Sequence, residues 1–270
     1  MGINFTCVSH DNGNKSIHLG QPAFIEFLAS LANINNPHMN FPCTLYQSGY
    51  PVDKISSITS TFENQHELTE KMQQLLGCLN WLTISTWPDI ATITNILSKY
   101  TSKPTPQHLD HVKYVIKYLI NTKDHGIAFS SKHNHELQSF FNFPVNTPNI
   151  KSMCDTNCGP QDTSIPKTSK KPQQLELFKS RSISGYLTWF LGPLHWLSKR
   201  QNITTCSLAK AKIYAMDKCV KSLKHFSFLV NGLNITLSLI STPTVVYNDN
   251  AACIQWSVNL TTKGLRHIQI

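Results

Sequence analysis

Two aspartates are the residues of this sequence whose positions best suit them to act together. Asp155 ends one predicted β-strand and Asp249 comes at the end of another. Side chains at strand ends can converge on one place. The predicted helix that lies between them in the sequence opens with two cations, Lys210 and Lys212. Any site that the carboxylates form must therefore be considered together with these lysines.

The elements that would position these residues follow an α+β order. Strand patterns cover 150–155, 181–190, 196–201 and 245–250. A helix is predicted from Ser207 to about Asn231-Gly232, which is a reasonable stop. Its apolar residues recur with the 3.6-residue helical period: Ala209, Ile213, Met216, Val220 and Leu223. Three strands, a helix and a further strand thus predict a mixed-sheet domain that delivers both aspartates.

The first half of the chain predicts a small hairpin followed by helices. Two short strand patterns, at 3–8 and 15–19, flank an Asn-Gly pair, which is a strong hairpin signal. Helices are predicted at 21–33, 65–85, 88–100 and 105–121, and the segment 35–62 is predicted to be a surface connection. On the last helix Lys113 and Lys117 lie off the apolar stripe. They form either a solvated basic face or a face that follows a phosphate backbone.

Composition and charge narrow the class of protein. The chain has 270 residues and a formal charge of +9, which is typical of proteins with a polyanionic partner such as nucleic acid, although a merely basic protein fits equally. The eight cysteines are spread without a C-x-x-C pair, so they are predicted to be reduced thiols and not a zinc site. No apolar run is long enough for a membrane span and no signal peptide is recognisable, which predicts a cytoplasmic or nuclear protein.

Several stretches of the first half resemble a known family. They are residues 19–25 (LGQPAFI), 75–83 (LLGCLNWLT), 88–91 (PDIA) and 113–119 (KYVIKYL). These are similar to the thumb region of copia-type LTR-retrotransposon reverse transcriptases, with the motifs L-x-Q-x-x-Y-I, L-x-G-x-L-x-Y-L-T, R-P-D-I-A and a helix ending in R-Y-L. Trp87 stands where the family usually has Arg. The polymerase Y-x-D-D strand would precede Met1, so no nucleotidyl transfer is expected.

The second half resembles the RNase H domain that follows the thumb in the same Pol polyproteins. The matching stretches are 153–158 (MCDTNC), 181–186 (RSISGY), 196–201 (WLSKRQ), 247–250 (YNDN) and 266–270 (RHIQI). The family patterns are Y-S-D-A-D-W, R-K-S-T-S-G-Y, W-x-S-K-K-Q, Y-C-D-N and K-H-I-D-I. Together the two halves imply a reverse transcriptase part at 1–130, a linker at 131–148 and an incomplete RNase H-like domain at 149–270, truncated at its C-terminus.

The resemblance implies a reaction and also a defect. RNase H cleaves RNA in an RNA–DNA hybrid with two Mg²⁺ (or Mn²⁺) ions held by acidic side chains. Asp155 and Asp249 match two of these metal ligands, but Lys210 stands where the helix should supply a glutamate and Gln269 replaces another acid. A protonated lysine cannot bind Mg²⁺, and it opposes each unit of metal charge by roughly 4 kcal/mol at 4 Å.

Three functional hypotheses follow. The leading one is a fragmentary, catalytically inactive Pol remnant that retains some nucleic-acid binding. The alternatives are an active, metal-dependent ribonuclease for RNA–DNA hybrids and a domesticated nucleic-acid-binding module. In each case the expected partner is an RNA–DNA hybrid or duplex, without a membrane or a small-molecule substrate. The residues predicted to contact nucleic acid are Lys113, Lys117, Lys199 and Arg200.

Overall fold

A computed structural model describes eight stretches of the chain. They are residues 2–10, 14–34, 41–45, 65–130, 150–157, 181–203, 207–232 and 244–258. The chain divides into two compact units, Met1–Ser130 and Ser131–Ile270. Each unit has its own core of buried apolar side chains.

The sheet of the first unit has three antiparallel strands. They are β1 (Asn4–Ser9), β2 (Lys15–Gly20) and β3 (Ile127–Ser130), in the order β1-β2-β3. The predicted hairpin is therefore present as β1 and β2. Gly126 enters β3 so close to β2 that a Cβ atom there would lie 2.2 Å from the Leu19 carbonyl oxygen. The backbone approach at that point requires glycine.

Four α-helices build the core of the first unit. They are α1 (Pro22–Leu31), α2 (Gln65–Ser85), α3 (Ala91–Leu97) and α4 (Pro106–Asn121), with short 3₁₀ turns at Pro88–Ile90 and Ser98–Tyr100. Thr105 caps α4 by accepting a hydrogen bond from the His108 backbone N–H. The helices bury residues such as Leu79 and Leu82 completely. Each such side chain contributes roughly 1.5–3 kcal/mol of transfer free energy.

The second unit contains a mixed sheet of four strands. They are β4 (Lys151–Asn157), β5 (Ile183–Trp189), β6 (Pro193–Arg200) and β7 (Val245–Tyr247), in the order β6-β5-β4-β7. The first three form an antiparallel meander, whereas β7 pairs with β4 in parallel over three residue pairs.

Two helices of the described stretches pack in the second unit. Helix α5 (Leu208–Gly232) contacts β4 and β5, and α6 (Ala251–Val258) follows β7 and contacts α5. Three buried thiols lie in the shared core: Cys154 of β4, Cys219 of α5 and Cys253 of α6. None of the helices in the described stretches is both long and apolar enough to cross a bilayer.

The α+β class and the order of elements predicted from the sequence are confirmed. One boundary is wrong: β7 ends at Tyr247, so Asp249 lies in the loop between β7 and α6 and not in a strand reaching residue 250. The strand β7 has three residues, and all three pair with β4. The linker at 131–148 and the motif at 266–270 lie outside the described residues.

Candidate functional site

The two aspartates converge because their strands are parallel neighbours. Met153 of β4 pairs with Tyr247 of β7. Counting two residues onward from that pair leads to Asp155, within β4, and to Asp249, in the loop that follows β7. Since parallel strands end at the same edge of a sheet, the two carboxylates meet there.

The side chain of Lys212 lies between these carboxylates. Its ammonium nitrogen is 3.0 Å from Asp155 Oδ1 and forms a second, shorter ion pair with Asp249 Oδ1. The lysine side chain is only 8% exposed, while the aspartate side chains are 68% and 69% exposed. The lysine therefore reaches the pair from the protein interior, and the carboxylates cover its charge from the solvent side.

The surroundings set the protonation state of this lysine. Burial lowers the Lys212 pKa, but the hydrogen bonds and negative charges of Asp249 and Asp155 outweigh it, so the pKa is raised above its ordinary value. The side chain is therefore an ammonium at neutral pH. It donates to both carboxylates and has no lone pair for a metal ion.

The residue predicted to occupy the acid position, Lys210, lies elsewhere. It is half-buried, its backbone N–H donates to Ser207 Oγ at 3.3 Å, and within the described stretches it forms no ion pair. Lys212, two residues further along, is the one that contacts the aspartates. The other substituted position, Gln269, lies outside the described residues.

A signal for Lys212 is present in the sequence. The buried face of α5 runs through Met216, Cys219 and Leu223. Lys212 precedes Met216 by four residues and so lies on the same face. A cation in phase with an apolar stripe needs a buried anion nearby, and the two strand-end aspartates are available.

A hydrogen-bond network holds the loop that carries Asp249. Asn248 Nδ2 donates to the Cys154 carbonyl oxygen at 3.1 Å, and its Oδ1 accepts from the Asn250 backbone N–H. Asn250 Oδ1 in turn accepts from the Cys253 backbone N–H at 2.8 Å and so caps α6. On the β4 side, Asp155 Oδ1 accepts from the Thr156 backbone N–H at 2.7 Å.

Gln201 fixes the start of α5 on the sheet. The residue is 2% exposed, and its Nε2 lies 2.9 Å from both Ser184 Oγ and the Ala211 carbonyl oxygen, and 3.2 Å from Thr156 Oγ1. One amide thus connects β4, β5 and the residue that precedes Lys212.

The thiols beneath the site form a buried pair. A hydrogen bond from Cys219 lowers the pKa of Cys154 to about 7, against the effect of burial. The same hydrogen bond, together with burial, raises the pKa of Cys219. Burial raises the pKa of Cys253 to about 11.

The donor set does not fit a divalent metal ion as it stands. Among the described residues no group of three or more His, Cys, Asp or Glu side chains could hold a metal. Two carboxylates are present, but one oxygen of each already accepts a hydrogen bond from the Lys212 ammonium. A divalent ion at this place would meet a fixed ammonium.

The residues predicted to contact nucleic acid lie in different units. Lys113 and Lys117 are half-buried on α4 of the first unit, and a cavity there places Lys113 beside Glu67 and Glu70, so the charge of that face is mixed. In the second unit, neighbouring positions on β6 carry Lys199, which is exposed, and Arg200, which is half-buried.

Helix α5 carries a set of cations that the sequence analysis did not select. Lys218, Lys221 and Lys224 are exposed and follow one another at three-residue spacing, which places them along one side of the helix. Lys221 pairs with the buried Asp217 at 2.8 Å. The helical spacing of lysines after residue 216 is the signal that identifies this surface.

Three of the curated proteins that are similar to this chain are retrovirus-related Pol polyproteins. The one from transposon RE1 of Arabidopsis thaliana is 26% identical over 260 residues, covering 94% of this chain and 15% of the relative. The one from transposon RE2 of the same plant is 28% identical over 200 residues, covering 73% of this chain and 11% of the relative. The one from transposon TNT 1-94 of Nicotiana tabacum is 21% identical over 254 residues, covering 93% of this chain and 16% of the relative.

The chain thus spans at most 16% of the length of these relatives. No family model matches the chain. No solved structure matches it either.

Proposed function

We propose that this chain, a divergent protein derived from the Pol polyprotein of copia-type retrotransposons, is a Pol remnant whose RNase H-like second unit does not catalyse hydrolysis. The observation that carries the proposal is the Lys212 ammonium between Asp155 and Asp249. It fills the position at which the two carboxylates would have to share a metal ion.

The electrostatics support inactivity. Two-metal hydrolysis places two divalent ions about 4 Å apart, where they activate a water and stabilise the leaving oxygen. An ammonium at that distance opposes a divalent ion by roughly 8 kcal/mol at an effective dielectric near 20, which is twice the cost for a unit charge. The two carboxylates attract the ion, but the ammonium offsets one of their two negative charges and holds one oxygen of each.

A cleavage assay tests the proposal. An RNA–DNA hybrid with labelled RNA is incubated with the full chain and Mg²⁺ or Mn²⁺, beside the Asp155→Asn variant prepared identically. We expect no metal-dependent cleavage above the Asp155→Asn background. Cleavage by the wild type that disappears in Asp155→Asn would refute inactivity and establish the alternative, a metal-dependent hybrid ribonuclease.

A second function, nucleic-acid binding, is favoured by the lysine row of α5. Lys218, Lys221 and Lys224 are exposed along one side of the helix, as a groove-following or backbone-following surface requires. Such a row is also compatible with an ordinary solvated face, so binding has to be measured.

The measurement compares two double variants with equal charge change. Lys218→Glu with Lys224→Glu removes two cations of the row, while Lys15→Glu with Lys103→Glu removes two exposed cations of the first unit. If the row binds hybrid, only the first pair weakens binding and lowers the salt slope, by about 0.9 for each lost phosphate contact. Equal effects of both pairs, or no binding at low salt, would exclude the row as a specific surface.

A further inference from the structure

The strand of the β7–α6 segment is short. It has three residues, and Val245 at its start is 48% exposed. Beyond the three-pair ladder to β4, the polar contacts of the segment include the Cys154 thiol on the Tyr247 carbonyl oxygen, the Asn248 amide on Cys154 and the Asp249 carboxylate on Lys212. Cys253 of α6 lies in the apolar core of the unit. A short parallel ladder is a weak attachment on its own.

Lys212 connects three elements through one side chain. Its backbone lies near the start of α5, and its ammonium contacts Asp155 on β4 and Asp249 in the loop after β7. The contacts join the helix, the central strand and the segment β7–α6. This is the arrangement that a bound cation produces when it draws ligands from separate elements.

The charges require a cation at this position. Two carboxylates at neighbouring strand ends repel each other, and the repulsion would separate β7 from β4. The ammonium offsets one of the two charges and donates a hydrogen bond to each carboxylate. Because it is fixed to α5, it is present at any concentration of dissolved ions.

We propose that Lys212 replaces a divalent cation as a structural counter-ion. It fastens β7–α6 to the sheet and makes the fold of this unit independent of divalent ions. Without the lysine charge, the same two carboxylates would take up Mg²⁺ or Ca²⁺, and the attachment of β7–α6 would then depend on that ion. The inference uses the same ion pair as the proposed function, but its readout is local stability and not cleavage, so either can fail alone.

Hydrogen exchange of the full chain, read from peptides covering 244–258, tests the inference. The wild type should exchange identically in EDTA and in millimolar MgCl₂ or CaCl₂. Lys212→Met, which keeps most of the aliphatic stem and removes the charge, should exchange about tenfold faster or more in these peptides in EDTA, and either salt should restore much of the protection. Lys212→Met combined with Asp249→Asn should not respond to the salts.

Two further variants make the result independent of whether Lys212→Met folds. Lys224→Met removes an exposed cation of the same helix and should behave like the wild type. Asp249→Asn leaves Lys212 paired with Asp155 and should raise exchange in 244–258 alone, without a response to salt. Salt-dependent exchange of the wild type, or unchanged exchange in Asp249→Asn or in Lys212→Met, would overturn the inference.

Discussion

The change in stability caused by Lys212→Met should have opposite signs when the two partner residues are charged and when they are neutral. In the wild type the ammonium is buried and paired with two carboxylates. In a chain with Asp155→Asn and Asp249→Asn the same ammonium remains buried, and the asparagines offer acceptor oxygens but no charge. Lys212 should therefore stabilise the wild type and destabilise the chain with the two asparagines.

The magnitudes follow from the geometry. Unit charges 3.0 Å apart interact by about 5 kcal/mol at an effective dielectric near 20 and by about 1.4 kcal/mol in bulk water. The 68% exposure of the Asp155 side chain favours the lower part of this range. We therefore expect Lys212→Met to destabilise the wild type by about 1–3 kcal/mol. In the double-asparagine background it should stabilise by about 1 kcal/mol or more, because a lone buried charge is costly.

Native-state hydrogen exchange is the suitable assay. The chain has two units, so a single unfolding transition cannot be assumed and peptides of the second unit have to be followed separately. Lys224→Met is the matched control and should change the free energy of opening by less than about 0.5 kcal/mol in both backgrounds. If Lys212→Met changes the free energy of opening in the same direction in both backgrounds, the carboxylates do not compensate the buried ammonium and the reasoning fails.

Three other predictions test the surroundings of the site and the core. The pKa of Lys212 is raised in the folded state, so the stabilisation by its charge is complete below about pH 10.4, the unfolded-state value, and is lost as the pH rises through the folded-state value. The difference in stability between wild type and Lys212→Met should therefore disappear in alkaline titrations. Gln201→Ala should destabilise the second unit by about 2–4 kcal/mol in urea unfolding, since the buried Ser184 hydroxyl and Ala211 carbonyl each lose a hydrogen bond, whereas Gln255→Ala at an exposed position of α6 should stay within about 0.5 kcal/mol. Leu79→Ala should cost the first unit about 2–5 kcal/mol, while Ile84→Ala, at a position that is 72% exposed, should leave its thermal midpoint nearly unchanged.

The elements of the fold were predictable from local pattern. The helical pattern over 65–85, the Asn-Gly pair between β1 and β2 and the apolar stripe of α4 each act within a few residues, and the structure has the elements that they predict. The short β7 was not predictable in length. Its end is not set by β4, which runs to Asn157, but by the hydrogen bonds that turn the chain at Asn248, and these are a property of the assembled fold.

The site was predictable in its two acids and not in its cation. A motif comparison aligns residues by their position in the sequence, and in that alignment Lys210 occupies the position of the acid. Which lysine reaches the sheet edge depends on the rotation of α5, which is set by the burial of Ala211, Ile213 and Met216 and by the Gln201 amide on the Ala211 carbonyl. Lys212 lies on the buried side of that rotation and Lys210 does not.

Under the proposed function, Lys212 separates the stability of this fold from the metal-dependent hydrolysis of its proposed ancestors. A fold that needs dissolved cations to hold two acids together is stable only where those ions bind, and carboxylate sites hold Mg²⁺ weakly without further ligands. An ammonium attached to the adjoining helix needs no such binding step and donates directly to both acids. Its single charge cannot activate water or stabilise a leaving oxygen as a divalent ion does. Under both proposals, the residue that secures β7–α6 also opposes hydrolysis, and restoring hydrolysis at this site requires removing Lys212 as well as supplying an acid.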